Sequence, residues 1–142
     1  MARQGEYRVV IERSNPAGLH QPPGYHHVTV AQPGVTVHLA GQCPLDPEGA
    51  LVGPDDLVAQ AEHVARNIEF ALASVGATPS DVVRAVIYVV AHDRESLSDV
   101  WSSLTSSGAA AAFTGAATLL GVAQLGYPGQ LVEVDITAVV PI

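Results

Sequence analysis

The segment Val82-Val-Arg-Ala-Val-Ile-Tyr-Val-Val90 most limits what this chain can become. It is rich in β-branched residues and has apolar side chains on both faces, so it reads as a strand inside a covered sheet. Helical periodicity flanks it on both sides. Upstream, Leu57, Ala61, Val64, Ile68, Leu72 and Val75 recur at steps of three and four, after Pro54-Asp-Asp56 and before Gly76. Downstream, Asp93 predicts the cap of a second helix, with Leu97, Val100, Trp101 and Leu104 on one stripe. Two helices can cover one face of a sheet. The other face, holding Val82, Val86, Tyr88 and Val90 or their neighbours, has no further layer in the chain, and an apolar surface of that size predicts self-association.

The remaining elements are strands. Glu6 to Glu12 predicts the first, ended by Ser14-Asn-Pro-Ala-Gly18. His26 to Ala31 and Val35 to Ala40 predict a hairpin around Gln32-Pro-Gly34. Thr118 to Gln124 and Leu131 to Val140 predict the last two. The order is β-β-β-α-β-α-β-β, an α+β mixed sheet with two helices packed on one face, in a single domain over residues 1–142.

Charge excludes several functions. Fourteen carboxylates oppose six arginines and no lysine, for a net charge of −8. Nucleic-acid binding needs a basic surface, which this composition does not supply. Without lysine there is no side-chain amine for a Schiff base. No apolar run is long enough to span a membrane, and the N-terminal residues lack a signal-peptide core. The lone cysteine, Cys43, allows no intrachain disulfide and fits a reducing cytoplasm, where the protein is expected.

Glu133 is the strongest chemical candidate. Alternation along Leu131-Val-Glu-Val-Asp-Ile136 puts Glu133 and Asp135 on one face and Val132, Val134 and Ile136 on the other. A carboxylate set among apolar neighbours is suited to proton transfer near neutral pH. His20, His26, His27 and His38 cluster in the sequence. Adjacent His26 and His27 would point to opposite strand faces, while His26 and His38 could meet across the predicted hairpin. No third ligand has motif spacing, so neither a metal nor a cofactor is expected. One of these histidines reaching the cleft as a general acid or base is the better use for this group, and His26 is a substrate-binding candidate.

Two stretches together carry a family resemblance: Ala40-Gly41-Gln42-Cys-Pro-Leu-Asp-Pro-Glu-Gly49, and Gly115 to Leu125 followed by Tyr127 to Ala138. With these the chain resembles the reactive-intermediate deaminase (RidA/YjgF) superfamily, from about Tyr25 to Ala138. The resemblance implies a chorismate-mutase-like fold and a ring-shaped homotrimer with clefts at the subunit boundaries. It implies that Glu133 positions or activates water, that Tyr25 lines the cleft and joins Glu133 as a catalytic candidate, and that the Gly41 amide meets a substrate carboxylate. Trp101 stands at an aromatic position of the second helix, and Cys43 lies beside the Gly41 turn. The chain departs from the family at three polar positions. The arginine that grips a substrate carboxylate is Ala117, a cysteine two residues later is Leu119, and a serine is Ala40.

Losing that arginine removes a charge-assisted, bidentate contact, so a small imino acid should bind poorly. A small, uncharged, more apolar ligand is expected instead. Two functions follow. One is an enzyme acting on an imine, enamine or enol-type metabolite by hydrolysis, tautomerisation, dehydration or cyclisation. The other is a trimeric binding or chaperone-like module that has kept the fold and lost the chemistry.

Overall fold

The computed structural model describes residues 10–141. In chain order the strands and helices are β1 (Ile11–Ser14), β2 (Val28–Ala31), β3 (Val35–His38), α1 (Leu57–Ala73), β4 (Val82–Val90), α2 (Arg94–Thr105), β5 (Ala116–Val122) and β6 (Val132–Val140). Short 3₁₀ turns at Pro79–Asp81 and Ala110–Phe113 lead into β4 and β5. The expected element order holds. The first half of the predicted first strand lies outside the described residues.

Both helices begin as their sequences require. Asp56 caps α1 by accepting from the Ala59 N–H at 3.0 Å, and Asp93 caps α2 by accepting from the Ser96 N–H at 2.7 Å. The Ser96 donors hold the Asp93 carboxyl below its ordinary range. Gly76, at φ +75°, ends the turn after α1 in a conformation that disfavours other residues.

A four-stranded sheet of order β3-β6-β4-β5 carries the structure, and β1 and β2 form a separate antiparallel pair. β6 is antiparallel to both β3 and β4, whereas β5 runs parallel to β4. Helix α2 makes the crossover that a parallel pair needs. On one face Ala85, Ile87, Val89, Val132, Val134 and Ile136 pack under the helices, which contribute Val64, Ile68, Leu72, Val100 and Leu104; all are fully buried. On the opposite face Val86, Tyr88 and Val90 remain half-exposed and Leu120 is exposed.

Two expectations need correction. The β2–β3 hairpin does not form: β2 pairs with β1 and β3 with β6. Gln32-Pro-Gly34 turns a corner between two sheets, so His26 and His38 do not meet across a ladder. Val82 does not belong to the open face either. The β4–β6 register shifts between Val82 and Arg84, and the extra residue returns Val82 to the helix-covered side, where it is 1 % exposed.

Among the described residues no helix is long and apolar enough to cross a membrane.

Candidate functional site

Two groups of candidate residues lie on opposite faces of the sheet. The first surrounds Glu133 on β6. Tyr88 stands opposite Glu133 in the β4–β6 register, so both point to the open face. Beyond β3 the chain continues beside β6: the Leu39 N–H donates to Ile136 O at 3.0 Å, and the Gln42 N–H to Val134 O at 2.7 Å. Between those anchors Ala40 and Gly41 together span the single residue Asp135, which makes a bulge. Among the described residues neither the Ala40 nor the Gly41 N–H is used in a hydrogen bond.

Gly41 packs directly on the carboxylate. A Cβ at this position would stand 2.7 Å from Glu133 Cδ and 2.9 Å from Oε2, so any larger residue displaces the carboxylate from this position.

The same carboxylate is held from the other side. The Cys43 thiol donates to Glu133 Oε1 at 3.2 Å, and Gln130 Nε2 donates to the same oxygen at 3.4 Å. Burial pushes the Cys43 thiol up to about 11, helped by its hydrogen bond to the Glu133 carboxylate and by that group's charge. The thiol therefore stays protonated through the neutral range and keeps its donor role. Gln130 is 3 % exposed and fully engaged: its Oε1 accepts from the Tyr127 N–H at 3.1 Å, and its Nε2 also donates to Val132 O at 3.1 Å. A second buried glutamine, Gln60 on α1, anchors this loop. Gln60 Oε1 accepts from the Leu131 N–H at 2.7 Å, and Nε2 donates to Gly53 O and Gly129 O.

The second group lies at the α2–β5 edge. Ala117 and Leu119 pair with Ala85 and Ile87, so they face the helix side. With Pro23, Tyr25, Ser98 and Trp101 they line a cavity of about 640 Å³. Tyr25 and Trp101 meet edge to face with centroids 6.1 Å apart, and the Tyr25 hydroxyl lies 3.3 Å from His20 Nε2. His27 approaches His20 through its Nε2, 2.8 Å from the His20 carbonyl. His26 bonds the segment leading into β5, its ring Nδ1 to Thr114 O and its N–H to Gly115 O.

Within one chain the two groups do not share a cavity. Glu133 and Leu119 sit two strands apart, about 10 Å, with side chains on opposite faces. Gln130 and Tyr88 escaped the sequence reading. The only trace of Gln130 was its place in the turn before an otherwise apolar strand, and Tyr88 was visible only as part of an uncovered face. Arg84, also on the open face, reaches Thr118 Oγ1 at 3.4 Å. Among the described residues no group of three metal-ligating side chains gathers.

Residues 19–140 match the family model described as Endoribonuclease L-PSP. The chain belongs to this family, the YjgF/Rid group. The protein DfrA of Myxococcus xanthus is 32 % identical over 118 residues, covering 81 % of this chain and 84 % of that protein. A Rid-family protein of Yersinia pestis, YyfB, described as of unknown function, superimposes with a TM-score of 0.81 at 34 % identity, covering 91 % of this chain and 98 % of that one. A YjgF/YER057c/UK114 family member from Mycobacterium tuberculosis follows at TM-score 0.60 and 28 % identity, covering 92 % and 99 %. The resemblance carried by the Gly41 turn and the Glu133 strand is thereby shown, as is the chorismate-mutase-like fold.

Proposed function

We propose that this chain is an enzyme acting on a small, low-charge imine-, enamine- or enol-type compound, with Glu133 moving the proton or activating water. One observation carries the reading. The Glu133 carboxylate is gripped through Oε1 by Cys43 and Gln130, while Oε2 lies toward Gly41 with no partner among the described residues. A carboxylate held through one oxygen and open at the other is oriented for proton transfer. The unused Gly41 N–H beside it can receive a polarised oxygen or nitrogen.

The site is completed between copies of the chain, acting as one domain in a homotrimer. The open sheet face, with Val86, Tyr88, Val90 and Leu120, supports this arrangement. A second copy there brings the Glu133 group of one subunit towards the Tyr25, Trp101, Ala117 and Leu119 wall of its neighbour. Light scattering should give about three chain masses at micromolar concentration. A single chain mass would remove the shared cleft.

Ala117 gives a substrate carboxylate nothing to pair with, so this reading excludes efficient hydrolysis of small imino acids. RNA cleavage, which the family description names, sits badly with a net charge of −8. No metal or cofactor enters the proposed chemistry, and the setting is cytoplasmic.

Glu133→Gln tests the mechanism, because it keeps the shape and removes the ionisable group. Turnover should fall by about two to four orders of magnitude while melting temperature and oligomer mass stay put. Equal turnover in the variant would end the mechanism. Ligand binding without turnover in either protein would favour the non-catalytic module.

A further inference from the structure

Proton transfer at Glu133 does not define the substrate's body, and the cavity at the α2–β5 edge constrains it. At about 640 Å³ it falls within the usual range for small-molecule sites, and every side chain that one subunit contributes to its lining is uncharged. A carboxylate entering would shed water with no counter-charge to meet it. The walls are aromatic and fixed. Tyr25 and Trp101 stand at 89° to each other, and buried Phe113 backs Trp101 at 6.3 Å between centroids. His20 ties down the Tyr25 hydroxyl. Such a corner offers one ring face and one ring edge, the two surfaces against which a third ring packs best. Leu119, Ala117 and Pro23 supply apolar contact around it. Ser98, one helical turn before Ser102 on α2, adds a neutral hydroxyl for a carbonyl or imine.

We infer that this cavity binds the uncharged aromatic ring of a small carbonyl- or imine-type compound, held between Tyr25 and Trp101. The inference rests on the proposed function for the identity of the reacting site. The ring preference itself comes from the wall.

Trp101 is the only tryptophan in the chain, so its emission reports on the cavity directly. Three probes separate the terms: benzylacetone (ring, neutral), hydrocinnamate (ring, anionic) and butyl methyl ketone (neutral, no ring). Benzylacetone should shift Trp101 emission saturably, with a Kd about tenfold below those of the other two. Ala117→Arg should reverse the order of benzylacetone and hydrocinnamate. Ala117→Leu, which fills the cavity without charge, should weaken benzylacetone about fivefold and covers the case in which the arginine variant does not fold. Equal affinity for hydrocinnamate or butyl methyl ketone would overturn the inference, as would no saturable shift with any probe. The two readings fail separately. Ring binding that survives in Glu133→Gln with no turnover in the parent sinks the catalytic proposal alone. Glu133-dependent turnover of an aliphatic imine without ring binding sinks this inference alone.

Discussion

The helix-covered and open faces of the same four strands have opposite characters. The covered face is apolar and closed, and Ile87, Val134 and Ile136 there are 0 % exposed. The open face carries Glu133, Asp135, Tyr88 and Arg84 among half-exposed valines. Alternation along each strand assigns neighbouring residues to the core and to the open face in turn. One residue's slip in β6 would exchange the two. The bulges opposite Asp135 and at Val83 therefore matter, because they re-aim one strand locally without disturbing the register of the rest.

The contrast can be broken first on the covered side. Ile136→Ala should cost about 2–5 kcal/mol of unfolding free energy in a denaturant titration, with turnover per folded molecule preserved. If turnover dropped in proportion to stability, the two faces would not be independent.

The complementary change is on the open side. Gly41→Ala places a methyl group where Glu133 Cδ would be 2.7 Å away, so the carboxylate must swing off Cys43 and Gln130. Turnover should fall about a hundredfold, the usual scale for misplacing a reacting group, with a melting temperature close to the parent's. Unchanged turnover would show that Glu133 need not be held.

The smallest effect sharpens the picture of that hold. Cys43 should ionise at about 11, above its ordinary 9.0, as followed by thiolate absorbance. The fold favours the neutral thiol. Its contribution is therefore complete below about pH 9 and is lost as pH rises through about 11. Glu133→Gln should bring the titration part of the way back, since burial, the larger cause, remains. A full return to 9.0 would assign the whole shift to Glu133.

Local pattern made much of this legible. The caps at Asp56 and Asp93, the stripe on α1, and the placement of Glu133 against Val132 and Val134 all follow from period and residue type. The β2–β3 hairpin did not, because a corner and a hairpin need the same turn residues. What separates them is β1, a distant strand that takes the ladder positions of β2. The bulge at Val83 likewise arises from pairing with β6 and leaves no mark in Val82-Val-Arg. The grip of Gln130 and Cys43 on Glu133 joins residues ninety positions apart in the case of Cys43. The resemblance located the carboxylate and the missing arginine, but it could not show that they lie on opposite faces of one chain.

The place of β6 bears on how the protein is made. Val132–Val140 comes last among the described strands, yet it stands between β3 and β4 in the sheet. Until residues 132–140 are made, β3 has no neighbour in the sheet and β4 has only β5. One long edge of β4 then keeps its backbone N–H and C=O groups unpaired. The four-stranded sheet closes only once residues 132–140 exist, because the strand bearing Glu133 fills the gap. Completing the sheet and placing the Glu133 carboxylate become a single event, and a chain stalled before that strand has neither.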